Sequence, residues 1–221
     1  MDIKEINVEN GRSDVIIAFD ELLQLKNLEK IHAKRCELLR KIFEVELEVT
    51  DSKFNNESQT IVVKLPKLRE VVLEELENLN YLWKNNKWRQ LELPNLTRLS
   101  IHNCNWLDDV FATSMVSTFM QLQELHVTHC RFIKVIVHKD DDFERIVLPC
   151  LKSLKLEHLR YMKGFCLWEK EFLLPSLSTL VIKQKVIETN EGFIDIGEQD
   201  INSFIITNKQ QGRHFGSQED E

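Results

Sequence analysis

One phrase of residues is written twice between Leu96 and Val137, and no other feature of the chain restricts its fold as strongly. Leu96-x-x-Leu99-x-Ile101-x-x-Cys104-x-x-Leu107-x-x-Val110-Phe111 is followed by Leu122-x-x-Leu125-x-Val127-x-x-Cys130-x-x-Ile133-x-x-Ile136-Val137, the second copy starting 26 residues after the first. Apolar steps of three, two, three, three and three match neither the 3.6-residue period of one helix nor the two-residue period of one strand. They match a short strand that turns at the Cys and returns through a looser, partly helical segment.

Further copies flank this pair. Leu28-x-x-Ile31-x-Ala33-x-x-Cys36-x-x-Leu39-x-x-Ile42-Phe43 precedes it, as does Leu65-Pro66-x-Leu68-x-x-Val71-x-Leu73-x-x-Leu76-x-x-Leu79-x-x-Leu82-Trp83. Leu148-Pro149-x-Leu151-x-x-Leu154-x-Leu156-x-x-Leu159-x-x-Met162-x-x-Phe165 follows, and a sixth copy opens with Leu174-Pro175-x-Leu177-x-x-Leu180-x-Ile182 before losing the pattern at Lys185. From Leu68 the steps are 28, 26, 29 and 26 residues, within the roughly 20–29 residues of a leucine-rich repeat. The interval from Leu28 to Leu68 is longer, at forty residues, and contains a polar stretch, Asp51–Ser58, expected to loop out of the array. Proline opens four copies, at positions 66, 94, 149 and 175, where a residue without an N–H is tolerated just ahead of a strand. The predicted fold is an α/β solenoid, a leucine-rich repeat arc with short parallel strands on its concave face and loops or short helices on its convex face. About six repeats are expected over residues 26–187. Residues 1–25, with no repeat signature over 1–20 and a turn at Asn10-Gly11, are expected to form an N-terminal cap or irregular segment, with Asp20 capping a helix over Glu21–Leu25. Residues 188–221 are expected to form an irregular cap and an acidic tail, disordered from about residue 208.

Composition narrows the function. A net charge of −7 and a pI near 5.6 argue against a general nucleic-acid binder, which needs a basic stripe. The opening residues are polar and no apolar run approaches the ~20 residues of a membrane span, so no secretory signal and no membrane segment are expected. Of the five cysteines, Cys36, Cys104 and Cys130 share one repeat position and are expected to face inward as free thiols in a reducing, cytoplasmic compartment.

Alternation along each strand aims the residues between the repeat leucines out of the sheet. They fall into three columns: Lys30, Glu70, Arg98, Glu124, Ser153, Thr179; then His32, Val72, Ser100, His126, Lys155, Val181; then Lys34, Glu74, His102, Thr128, Glu157, Lys183. Varied exposed columns on a constant apolar scaffold are what a protein-recognition surface requires. The candidate binding residues are therefore Glu70, Val72, Glu74, Arg98, Ser100, His102, Glu124, His126, Thr128, Ser153, Lys155 and Glu157. Other constellations carry less. His102 with Cys104, and His129 with Cys130, lack zinc-site spacing and point in different directions. The three adjacent carboxylates Asp140–Asp142 do not converge as calcium ligands do. Trp83, Trp88, Trp106 and Trp168 lie near repeat ends and are expected to pack in the core or at its edge. No nucleophile-elbow or phosphate-loop motif occurs, so neither catalysis nor a cofactor is expected.

Phe111-Ala112-Thr113-Ser114-Met115-Val116-Ser117, leading into Leu122-Gln123-Glu124-Leu125-His126-Val127, resembles the C-terminal repeats of plant intracellular disease-resistance proteins of the coiled-coil nucleotide-binding class. The same holds for Lys139–Glu144 running into Ile146–Leu156, and for Leu79-Asn80-Tyr81-Leu82-Trp83. The resemblance implies an innate-immune module that senses a pathogen effector or a guarded host protein and restrains a nucleotide-binding domain in cis or in trans. The chain has no P-loop and no coiled-coil heptads, so nucleotide exchange is not carried over. A generic repeat adaptor, or a truncated fragment without function, stays open on the sequence alone. An array cut from a longer one needs both apolar ends covered, here by residues 1–25 and 186–206.

Overall fold

The computed structural model describes residues 2–45, 61–84, 89–116, 118–139, 145–165, 171–183, 187–189 and 192–194. Seven short strands form one parallel sheet in chain order: Glu5–Glu9, Lys30–Lys34, Glu70–Glu74, Arg98–His102, Glu124–Thr128, Ser153–Glu157 and Thr179–Lys183. Each strand pairs with the next without a slip; Leu125 sits beside Leu99 and Leu154, and Val127 beside Ile101 and Leu156. The chain is therefore the leucine-rich repeat solenoid that the spacing predicts. The sheet lines the concave face. The return segments run through short parallel pairs such as Val15–Ile17 with Lys41–Phe43 and Ile61–Lys64 with Arg89–Glu92. Among the described residues helix is confined to Phe19–Leu22 and Thr113–Val116.

Every repeat leucine position points into one continuous core. Leu28, Leu68, Leu73, Leu99, Leu125 and Leu154 are all buried, as are the return residues Leu39, Leu79, Leu107 and Ile133. Larger rings fill the convex side: Trp83 meets Phe43 at 5.5 Å and Phe119 at 6.0 Å, edge to face. Trp83 is thus a core residue, whereas Trp88 and Trp168 lie outside the described residues. Dispersion contacts and apolar burial hold neighbouring coils together, because no coil closes a core by itself.

Two backbone devices set the corners. Entry to the strands is a four-residue turn closed by an i→i+3 bond, as from Leu68 N–H to the Leu65 carbonyl and from Leu96 N–H to the Leu93 carbonyl. Pro66 and Pro94 occupy its second position, where their fixed φ is favoured. Exit is a single residue in the left-handed region: Asn10, Arg35, Glu75, Asn103, His129 and His158 have φ of 50–59°. Each of these residues donates its N–H to the strand-end carbonyl of the following coil, Asn10 to Lys34, Arg35 to Glu74, and so on to His158 and Lys183. The thiols finish the corner. Cys36 Sγ reaches the Lys34 carbonyl at 3.3 Å, Cys104 Sγ the His102 carbonyl at 3.5 Å and Cys130 Sγ the Thr128 carbonyl at 3.4 Å. A Cys at this position is a small apolar group that also serves a buried carbonyl.

Two differences from the sequence-based expectations have clear causes. The strand Glu5–Glu9 carries the sheet one coil earlier than the repeat signature, since Ile3-x-x-Ile6-x-Val8 keeps the repeat spacing in short side chains that are only half-buried. At its corner stands Gly11, where a Cβ would lie 2.7 Å from Val8 Cγ1 and 3.4 Å from Cys36 Sγ. The first helix starts at Phe19 rather than after Asp20; Ala18 is its N-cap residue, and the Glu21 carboxylate accepts the Ala18 N–H at 3.0 Å. The forty-residue interval leaves the sheet uninterrupted, since Lys30–Lys34 pairs directly with Glu70–Glu74. Its polar stretch Asp51–Ser58, the acidic stretch Asp140–Asp142, Lys185 and the tail from about 208 lie outside the described residues. Within residues 188–221, Gly192–Ile194 pairs antiparallel with Ile187–Thr189.

Leu125→Ala should lower unfolding free energy by about 2–5 kcal/mol in urea titrations, because the enclosed site cannot collapse around the void. At the left-handed corner, Glu75→Val should cost about 1–2 kcal/mol while Glu75→Gly keeps or raises the urea midpoint, a contrast that reads the backbone alone.

Candidate recognition surface

The pleat and the common register bring all twelve candidate residues to one face. Glu70, Arg98, Glu124 and Ser153 form one row of direct cross-strand neighbours; Val72, Ser100, His126 and Lys155 form the next; Glu74, His102, Thr128 and Glu157 form the third. The first strand lengthens the three columns by Glu5, Asn7 and Glu9, which the sequence analysis missed. The signal for them was present in the alternation around Ile6 and Val8.

Charges on this face alternate from coil to coil and meet one another. Lys30 lies 3.5 Å from Glu5, and Arg98 bridges Glu70 at 3.4 Å and Glu124 at 3.6 Å. Lys34 reaches Glu74 at 3.0 Å, and Arg35 pairs with Glu9. Toward the C-terminal end Glu157, a buried carboxylate, is held between Lys155 at 2.8 Å and Lys183 at 3.2 Å. Histidine–hydroxyl pairs fill the middle: His102 Nδ1 with Thr128 Oγ1 at 2.8 Å, and His126 Nε2 with Ser153 Oγ at 3.0 Å. Exposed pairs of this kind contribute at most ~1 kcal/mol each, but opposite signs on adjacent strands favour this register over a slipped one.

The pairing shifts proton affinities. The hydrogen bond from Lys34 holds the Glu74 carboxyl below its ordinary value and, reciprocally, raises Lys34. Glu157 is lowered by its hydrogen bonds from Lys155 and Lys183 despite its burial. Burial lowers His126. Among the described residues no group of three or more His, Cys, Asp or Glu side chains converges as metal ligands would. Cys104, hydrogen-bonded to Cys130 and fully enclosed, has its thiol pushed well above the ordinary value, which suits a core group. Likewise, among the described residues no helix is long and apolar enough to cross a membrane.

A second exposed feature lies beside the strand exits. Trp106, Phe132 and Tyr161 each stand two residues after the corner Cys104, Cys130 or Leu159, and their rings form a ladder at 5.1 and 5.6 Å. Trp106 does pack at the edge of the array, yet it stays 59% exposed.

Parallel coils of 26–29 residues with an L-x-x-L-x-L strand and a Cys or Leu corner define a leucine-rich repeat domain, a fold whose members serve as interaction modules. Residues 1–131 match the leucine-rich repeats described as plant disease resistance protein RPS2-like. The chain belongs to that family. The match takes in the first five strands of the seven-stranded sheet, including the one at Glu5–Glu9, and stops short of the Ile146–Leu156 phrase. Comparison with curated proteins and with solved structures returned no match.

Glu74 and Glu157 keep their charge to lower pH in the folded than in the unfolded chain, so the unfolded chain takes up protons first on acidification. Stability from these pairs is full above the unfolded carboxyl value of about 4.3 and is lost as pH falls through the folded values. Glu157→Gln should therefore give a shallower acid limb in a plot of urea midpoint against pH.

Proposed function

We propose that the chain is a non-enzymatic recognition module of plant innate immunity that works in the cytoplasm. It binds a protein partner, a pathogen effector or a guarded host protein, through the concave columns. Perception there acts on a nucleotide-binding switch carried by another domain, joined in cis or met in trans. The observation that carries this function is the ordered face itself. Seven strands in one register hold side chains of mixed size and sign at fixed spacing, above a scaffold of buried Leu, Ile, Val and Cys. Membership of the RPS2-like resistance family supports the immune setting.

The central residues Arg98, His102, Glu124 and His126 are those on which a partner would spend most of its contact. Arg98 holds two carboxylates at distances of 3.4 and 3.6 Å, loose enough for a partner's carboxylate to replace one of them. Arginine at the centre of a patch is also a residue type that dominates interface energetics.

Replacing Arg98, His102, Glu124 and His126 together by alanine should abolish partner retention in quantitative affinity purification from plant tissue, with an unchanged melting temperature. A variant that keeps every contact of the unaltered chain would refute the concave assignment.

A further inference from the structure

The ring ladder at the strand exits carries an inference separate from the concave columns. Phe132 and Tyr161 are stacked, with planes 2° apart and centroids 5.6 Å apart, and Trp106 leans on Phe132 at 5.1 Å and 32°. The guanidinium of Arg131 lies over both Phe132 (5.4 Å) and Tyr161 (6.0 Å), and that of Arg160 over Tyr161 (5.6 Å). Stacking on rings fixes these long side chains, so little of their freedom is left to lose on binding.

Cations outnumber carboxylates beside the ladder, with Arg131, Lys134, Arg160 and Lys163 against Asp108 and Asp109. Lys134 already holds Asp108 at 3.1 Å, but among the described residues neither Arg131 nor Lys163 forms an ion pair. On the concave face, by contrast, cations meet carboxylates from coil to coil. A partner with carboxylates thus finds, in Arg131, a pre-oriented positive charge with no ion-pair partner among the described residues, next to an exposed indole, and tryptophan and arginine are among the side chains most enriched where binding energy concentrates.

We propose that Trp106, Phe132, Tyr161 and Arg131 form a docking strip for an acidic segment of a partner protein. The segment's carboxylates meet Arg131 and Lys163, and one of its apolar side chains covers the outer face of Trp106. A single-stranded nucleic acid also combines negative charge with stacking, but the rings fit it poorly. They are closed on one another, leaving no slot for a base between them.

The test uses the full chain and three fluorescein-labelled probes, read by anisotropy at low and physiological salt. The probes are a peptide of alternating glutamate and leucine, its glutamine counterpart, and an oligothymidylate. The glutamate peptide should bind saturably, at least tenfold tighter than the glutamine peptide, and more weakly as salt rises. Trp106→Ala and Arg131→Glu should each weaken it at least tenfold, while the combined Arg98, His102, Glu124 and His126 variant should bind it unchanged. Should Trp106→Ala fail to fold, Arg131→Glu carries the comparison, since it changes an exposed side chain whose guanidinium contacts ring faces and not the core. No saturable binding of the glutamate peptide, equal binding of the glutamine peptide, binding that survives both substitutions, or tighter binding of the oligothymidylate would each overturn the proposal.

Discussion

Everything in this molecule depends on coils burying one another. A strand of five residues with two inward side chains, such as Leu125 and Val127, has no interior of its own; its interior is the pair Leu99 and Ile101 below and Leu154 and Leu156 above. The parallel, slip-free register follows from this, because a slip of one residue would turn every apolar side chain outward. Stability is accordingly a sum of neighbour terms, strongest in the middle of the array and weaker toward its outer coils, where Ile3, Ile6 and Val8 at one side and Leu180 at the other are only half-buried.

The corners turn this stacking into a fixed geometry. A left-handed residue reverses the chain and its N–H ties the turn to the following coil, so adjacent coils are held at their ends as well as along their strands. Asn and His tolerate that conformation better than most side chains, and four of the six corners use them. Arg35 and Glu75 are the costlier choices, and both side chains are engaged: Arg35 with Glu9, and Glu75 with Lys34 at 3.6 Å.

Much of this was legible in the sequence because the repeat spacing and the pleat are both strict rules. Once Leu99, Ile101 and Cys104 are placed inward, Arg98, Ser100 and His102 have only one direction left. What escaped was carried by weaker signals. The first strand is written in Ile and Val with a glycine at the corner, so it lacks the leucines and the cysteine that mark the other coils. The helix start at Phe19 was masked by the better capping chemistry of Asp20, and burial of Phe19 and Leu22 overrode it. The ladder of Trp106, Phe132 and Tyr161 arises from three residue types at one register position, a coincidence visible only when whole repeats are aligned rather than their apolar positions alone.

The buried thiols have a consequence for how the array comes apart. Cys36, Cys104 and Cys130 lie in the second, fourth and fifth coils, each closed off by its neighbours, whereas Cys150 is half-exposed at a strand entry. An alkylating reagent can reach each of the three enclosed sulfurs only when its own coil has parted from the next. Their separate labelling rates therefore act as clocks at three heights of the stack, able to tell fraying from an end from rupture in the middle.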